Sequence, residues 1–216
     1  MKTIHVPCQD AFSAMVTEDL IALATHKEGL LYIALPGGRS AASVIKAVLN
    51  TGPIARRIYL YLVDERLEGE RNETTLREAG LQKAFDEGWM EESQLIIPTP
   101  GKTLSEQSFD RVYLGIGEDG HFASLFPGTF TTEAQDQVIL ITDSPKDPPR
   151  RATLSFGGFA TLASKAKVFL LFFGESKREP LKRMLHSSDG PLLLPAAYFK
   201  ELGFDCTVIT DLEERL

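Results

Sequence analysis

The stretch Leu30-Leu31-Tyr32-Ile33-Ala34-Leu35-Pro36-Gly37-Gly38-Arg39-Ser40, continued by Ala41 to Leu49, decides the fold. Leu30 to Leu35 is a continuous apolar run of strand length, bounded by turn residues. Pro36-Gly37-Gly38 ends it, and Ala41 to Leu49 then reads as a helix. A buried strand passing through a glycine turn into a helix is the unit from which parallel sheets are built.

The same alternation extends in both directions. Upstream, Phe12, Met15, Val16, Ile21 and Leu23 recur near helical spacing between Asp10 and His26. Downstream, Ile58 to Val63 reads as a strand and Thr74 to Phe85 as a helix. Val112 to Leu114, Val138 to Ile141, Val168 to Phe173 and Thr207 to Ile209 are further strand-length runs, with a helix expected over Ser176 to Leu185. The pattern predicts an α/β fold: a mostly parallel, Rossmann-like sheet with helices on both faces. No repeat of 20 to 50 residues and no long Ser/Gly or Pro linker interrupts it, so a single domain over 1–216 is expected.

Composition narrows the function. The chain has 216 residues, 43% hydrophobic and 25% charged, with 17 Gly and 12 Pro, which is ordinary globular usage. Its net charge is −7 and its basic residues are scattered, which argues against a nucleic-acid partner. The longest apolar run, Val168 to Phe173, falls far short of the roughly 20 residues of a membrane helix. Lys2 is followed by His5, Gln9 and Asp10 where a secretory leader would be apolar, and two cysteines cannot make a disulfide framework. A cytoplasmic protein without membrane or nucleic-acid partners is expected, with a monomer as its form.

In open parallel sheets ligands bind beyond the carboxyl ends of the strands. Four such places carry chemistry. At the first, Pro36-Gly37-Gly38-Arg39-Ser40, the backbone N–H groups of a helix N-terminus suit an anion, with Ser40 placed to cap the helix and donate its hydroxyl, although a plain tight turn gives the same letters. At the second, Asp64-Glu65-Arg66, adjacent side chains point to opposite faces, so the two carboxylates do not converge on a metal, whereas Arg66 suits an anionic substrate or a developing negative charge.

The third is Leu114-Gly115-Ile116-Gly117-Glu118-Asp119-Gly120-His121-Phe122-Ala123-Ser124-Leu125-Phe126-Pro127-Gly128. Three glycines in six residues force an irregular loop that presents Asp119 and His121. A neutral imidazole takes a proton near pH 7, and a carboxylate fixes its tautomer. His5, His26 and His186 lack such a setting and are expected at the surface or at helix ends. The fourth is a pair of basic sites, Pro148-Pro149-Arg150-Arg151-Ala152-Thr153 and Gly174-Glu175-Ser176-Lys177. Lys177 opens a helix after the strongest apolar strand, where its charge opposes the helix dipole unless an anion lies between them, although a solvated surface lysine gives the same letters.

Two common readings fail. No Gly-x-Ser-x-Gly nucleophile elbow occurs, so water is a better nucleophile than a serine. Gly115-Ile116-Gly117-Glu118-Asp119-Gly120 fits a dinucleotide fingerprint in letters, but it lies halfway along the chain and runs on into His121.

Taken in order, these segments resemble the 6-phosphogluconolactonase family, within the wider group that includes glucosamine-6-phosphate deaminase. The likeness spans nearly the whole chain and is most specific over Leu114 to Gly128, close to the family's Gly-x-Gly-x-Asp-Gly-His-x-Ala-Ser-Leu-Phe-Pro-Gly. Gly37-Gly38, Asp64-Glu65-Arg66, Asn72, Pro148-Pro149, Arg151 to Ser155, Gly174, Lys177 and Leu194-Pro195-Ala196-Ala197 support it. The resemblance implies that Gly37, Gly38, Ser40, Arg151 and Lys177 hold a sugar 6-phosphate. It also implies that His121, oriented by Asp119, is general base to a water attacking the lactone carbonyl, and that Arg66 or a loop N–H receives the oxyanion. No metal and no cofactor is implied.

The chain departs from the family pattern where Arg39-Ser40 replaces Ser-Thr, so Arg39 either adds a phosphate contact or points to solvent. It departs again at Arg71, where serine is usual, in a short Ile97 to Phe109 segment that suggests a more open site, and in a missing asparagine near Ala163 and Ser164. Two rivals remain: an amino-sugar-phosphate isomerase or deaminase, and a non-catalytic sugar-phosphate sensor. The first needs further acid/base groups, and Ser124-Leu125-Phe126-Pro127 supplies no carboxylate; the second has no spare segment for a DNA-binding module.

Overall fold

The computed structural model describes residues 1–213, with Arg39 described through its backbone alone. Seven strands form one parallel sheet: β1 (Lys2–His5), β2 (Leu31–Leu35), β3 (Ile58–Leu62), β5 (Leu95–Ile96), β6 (Arg111–Gly115), β9 (Lys167–Phe172) and β10 (Asp205–Thr210). Their spatial order is β1-β10-β9-β6-β2-β3-β5. The remaining strands, β4 (Asp64–Arg66), β7 (Val138–Ile141) and β8 (Arg151–Leu154), make a small antiparallel sheet in the order β4-β8-β7.

Period-2 alternation explains why the large sheet is buried on both faces. On β9, Val168, Leu170 and Phe172 join one core and Phe169 and Leu171 the other. The second core takes its helical share from Phe12, Val16 and Leu20 of α1 (Gln9–His26) and from Val44, Ile45 and Val48 of α2 (Arg39–Asn50). It is completed by Leu76 of α3 (Asn72–Leu76) and Ala84 of α4 (Gln82–Asp86). On the other face lie Phe159 and Leu162 of α5 (Phe156–Leu162), Leu181 and Met184 of α6 (Arg178–His186), and Tyr198 and Phe199 of α7 (Tyr198–Glu201). Each fully buried side chain of this size contributes about 1.5–3 kcal/mol, so the two-sided burial of β9 and β6 makes the centre of the sheet a stiff platform for the loops that follow it.

The α/β architecture with a mostly parallel sheet agrees with the sequence reading, and three elements correct it. Val138 to Ile141 is a strand, but it pairs antiparallel with β8 in the small sheet. The helix expected over Thr74 to Phe85 is broken by a π-helical turn, Arg77–Leu81, in which Gly80 takes a φ of 119° against Leu49 of α2. Asp64-Glu65-Arg66, read as the end of the strand before it, forms a separate strand in the small sheet. The chain crosses between sheets at Val63, whose N–H donates to Leu35 O at 3.1 Å and whose carbonyl accepts from Leu154 N at 2.8 Å. Among the described residues no helix is long and apolar enough to cross a membrane.

Candidate active site

The carboxyl ends of β2 and β6 and one face of the small sheet enclose a cleft of about 140 Å³. Larger clefts, of about 340 and 440 Å³, surround Trp89 and Arg56. Neither has an imidazole or a strand-end glycine turn on its walls, whereas the smaller one has both.

Its floor is the turn after β2. Gly38 is the N-cap of α2 at φ 72°, and no side chain caps that helix; Ala41 N turns back to Gly38 O at 3.1 Å, which leaves the N–H groups ahead of it for a ligand. Ser40 does not cap, because it stands one residue inside the helix start, past the position from which a hydroxyl folds back onto N–H groups. Its Oγ instead lies 3.8 Å from where a Cβ on Gly115, itself a cleft residue, would be. Arg39 opens α2 by its backbone, and its side chain lies outside the described residues.

The loop after β6 supplies the imidazole. Gly117 N donates to His121 O at 2.8 Å and Gly120 N to Gly117 O at 3.0 Å, curling the loop tightly. Leu194 packs on Gly120, Ala196 N donates to Gly120 O at 3.0 Å, and Phe122 is wholly buried against Phe156, Phe159 and Phe199. This anchoring leaves His121 on the cleft wall with Nδ1 2.5 Å from Asp119 Oδ1. Burial raises the Asp119 carboxyl, but the hydrogen bond and charge of His121 outweigh it and hold the group well below the usual carboxylate range. An ionised carboxylate only accepts. Nδ1 therefore carries the hydrogen, and Nε2 is the basic nitrogen.

The small sheet supplies the cations. Arg66 and Arg151 are direct partners across β4 and β8 and both line the cleft. Arg66 Nη1 donates to Glu70 O at 3.1 Å, while its Nε is buried with no partner among the described residues. Arg151 gives Nε to Pro148 O and Nη2 to Lys146 O and Asp147 O, each at 3.0 Å. Burial lowers its pKa, Asp64 opposes that, and Arg66 adds to it. Phe126 lies between base and cation, its ring centroid 4.6 Å from His121 and 5.9 Å from the Arg151 guanidinium carbon.

Of the expected residues, Gly37, Gly38, Arg66, His121 and Arg151 meet on the cleft walls, with Asp119 behind His121 and Ser40 behind Gly115. Lys177 is half-buried at the same sheet edge but is not a wall residue. It closes a 3-10 turn, Glu175–Lys177, and N-caps α6 rather than opening that helix.

Two wall residues that the sequence analysis quotes received no role in the site there. Asp64 is two residues from Arg66 on one strand, hence on the same face, and that alternation alone could have found it. Burial raises its pKa, opposed by a 2.8 Å hydrogen bond from Ser124 Oγ and by the charges of Arg151, His121 and Arg66. Asn72 is the other, eight residues along and folded back against Gly37.

The alternative nucleophiles are occupied or distant. Ser124 is fully buried and donates to Asp64 rather than to His121, while Cys206 is buried with its thiol pushed up to about 12, and Cys8 is exposed on another segment. Among the described residues no group of three or more His, Cys, Asp or Glu side chains is placed to hold a metal ion.

The family profile described as glucosamine-6-phosphate isomerases/6-phosphogluconolactonase matches residues 8–207. The chain is 26% identical over 201 residues to the 6-phosphogluconolactonase of Chlamydia muridarum, covering 82% of this chain and 75% of that one. Its fold is that of the 6-phosphogluconolactonase of Leishmania guyanensis, with a TM-score of 0.76, 20% identity and coverage of 97% and 95%. It is also that of a monomeric glucosamine-6-phosphate deaminase, with a TM-score of 0.73, 16% identity and 97% of each chain covered.

Proposed function

Because the chain belongs to the glucosamine-6-phosphate isomerase/6-phosphogluconolactonase family, we propose that it hydrolyses 6-phospho-D-glucono-1,5-lactone to 6-phospho-D-gluconate. The observation that carries this reading is the 2.5 Å Asp119–His121 pair, which aims a basic nitrogen into a cleft whose floor is an open helix N-terminus. The phosphate sits on the N–H groups of the Gly37-Gly38 turn, with Arg151, Lys177 and Ser40 as its further partners.

Anchoring the phosphate leaves the lactone carbonyl above His121. Nε2 takes a proton from a water as the water oxygen bonds to C1, and the carbonyl electron pair moves onto its oxygen. Arg66, on the cleft wall, receives that oxyanion. The intermediate then expels the ring oxygen, which takes the proton back from the imidazolium, and the new carboxylic acid loses its own proton to solvent. The route uses no metal and no cofactor. The deaminase reaction needs a second acid/base group after the histidine turn, and Ser124-Leu125-Phe126 provides none. The unpaired cysteines support a reducing, cytoplasmic setting.

The test is proton release on a pH-stat with the phosphorylated lactone. His121→Ala is expected to lower kcat by about 10² to 10⁴ while product binding persists. A rate near the parent's in that variant, above spontaneous hydrolysis, overturns the assignment of the base. Equal affinity of the parent for phosphorylated and unphosphorylated lactone overturns the anchor.

A further inference from the structure

Asn72, the first residue of α3, is buried to 5% exposure, and three contacts fix it in the cleft wall. Its N–H donates at 2.8 Å to Oε1 of Glu65, a carboxylate with no exposed surface. That carboxylate also accepts from Arg66 N at 2.6 Å and Glu73 N at 2.9 Å, so Glu65 caps α3 from outside the helix and ties it to the strand that bears Arg66. The Asn72 side chain donates Nδ2 to Asp64 O at 2.9 Å. Its amide also fills the space where any residue larger than glycine at position 37 would place a Cβ.

With Nδ2 committed as donor, the amide has one orientation and Oδ1 is an acceptor. Among the described residues nothing donates to Oδ1. The neighbouring walls are rich in donors: Arg66, Arg151 and the backbone of the glycine turn. An inorganic anion matches those donors and leaves Oδ1 unused, whereas a ligand that also bears hydroxyl groups matches both.

We propose that Asn72 is a specificity-determining residue whose Oδ1 accepts a hydrogen bond from one ring hydroxyl between the acyl carbon and the phosphate, with Glu65 as its positioning residue. The proposal rests on the lactonase reading above and goes beyond it by naming the group that reads the polyol.

The experiment compares kcat/KM of the parent and Asn72→Ala on the full 6-phospho-δ-lactone and on analogues lacking the hydroxyl at C2, C3 or C4. The parent is expected to lose about three- to tenfold on one analogue, the range of a single hydrogen bond. Asn72→Ala is expected to lose a like factor on the full lactone and to match the parent within about twofold on that analogue, as a double-mutant cycle requires. The same loss on every lactone, or no loss on any, overturns the proposal. Should Asn72→Ala fail to fold, Asn72→Ser carries the same comparison, and the parent's own analogue series tests the preference without a variant. A parent inactive on all of the lactones overturns the lactonase reading and this inference with it, an outcome distinct from activity without hydroxyl preference.

Discussion

Arg66 and Arg151 stand opposite each other across β4 and β8, two cations on one cleft wall with Asp64 on the same strand face. Like charges directly opposite in an antiparallel pair repel. Asp64 offsets part of that repulsion, and a bound dianion would offset the rest. The phosphorylated product at about 100 times its Kd is therefore expected to raise the unfolding midpoint by about 5–10 °C. Differential scanning calorimetry with 6-phosphogluconate and with gluconate checks this. An equal response to both would show that the arginines do not serve a phosphate.

The Asp119 carboxyl is held below its ordinary value of 3.8, so the folded state favours its ionised form. The linkage has one sign: this stabilisation is fully present above the unfolded value and is lost as pH falls through the folded one. Asp119→Asn is expected to melt below the parent from neutral pH down to about pH 4, with the gap closing below that. Asp64, raised by burial, contributes with the opposite sign, favouring the fold at low pH and losing that contribution as pH rises past 3.8 through its raised value. Melting curves of Asp119→Asn and Asp64→Asn from pH 7 to 3 should diverge from the parent in opposite directions. Parallel curves for the two variants would contradict the assignment.

A Cβ on Gly117 would run into Nδ1 and Cε1 of His121 and lie 2.8 Å from Asp119 Oδ1. Gly117→Ala must therefore displace the imidazole or its carboxylate. Most of the 10² to 10⁴ ascribed to the base is expected to vanish from kcat, with product affinity within about threefold of the parent because the glycine turn and arginines are untouched. Steady-state kinetics with product titration separates the two. A retained kcat would mean that the ring is not placed for proton transfer.

The large sheet and its glycine turn were legible because buried parallel strands are written as unbroken apolar runs, Leu31 to Leu35 and Val168 to Phe172 among them. The loop that presents His121 was legible for a related reason: Gly117 and Gly120 are dictated by close contacts, with the imidazole and with Leu194. The small sheet was not. β4 consists of three charged residues whose partners, Arg151 to Thr153, lie far along the chain, and no local pattern signals such a pairing. That is why Arg66 and Arg151 were each expected in the site while their direct opposition was not. The segment from Ile97 to Phe109 carries no helix; Leu104 and Phe109 bury themselves in the core on the Tyr61 side of the sheet.

The crossing at Val63 divides the molecule's responsibilities between two frameworks. The Asp119–His121 pair hangs from the seven-stranded platform, whereas both arginines belong to a three-stranded bracket beside it. Selection can therefore retune the bracket, changing its charge or reach to admit other ligands, while the imidazole and its carboxylate stay as they are. Divergence of substrate range within one lineage then requires no reinvention of the hydrolytic step.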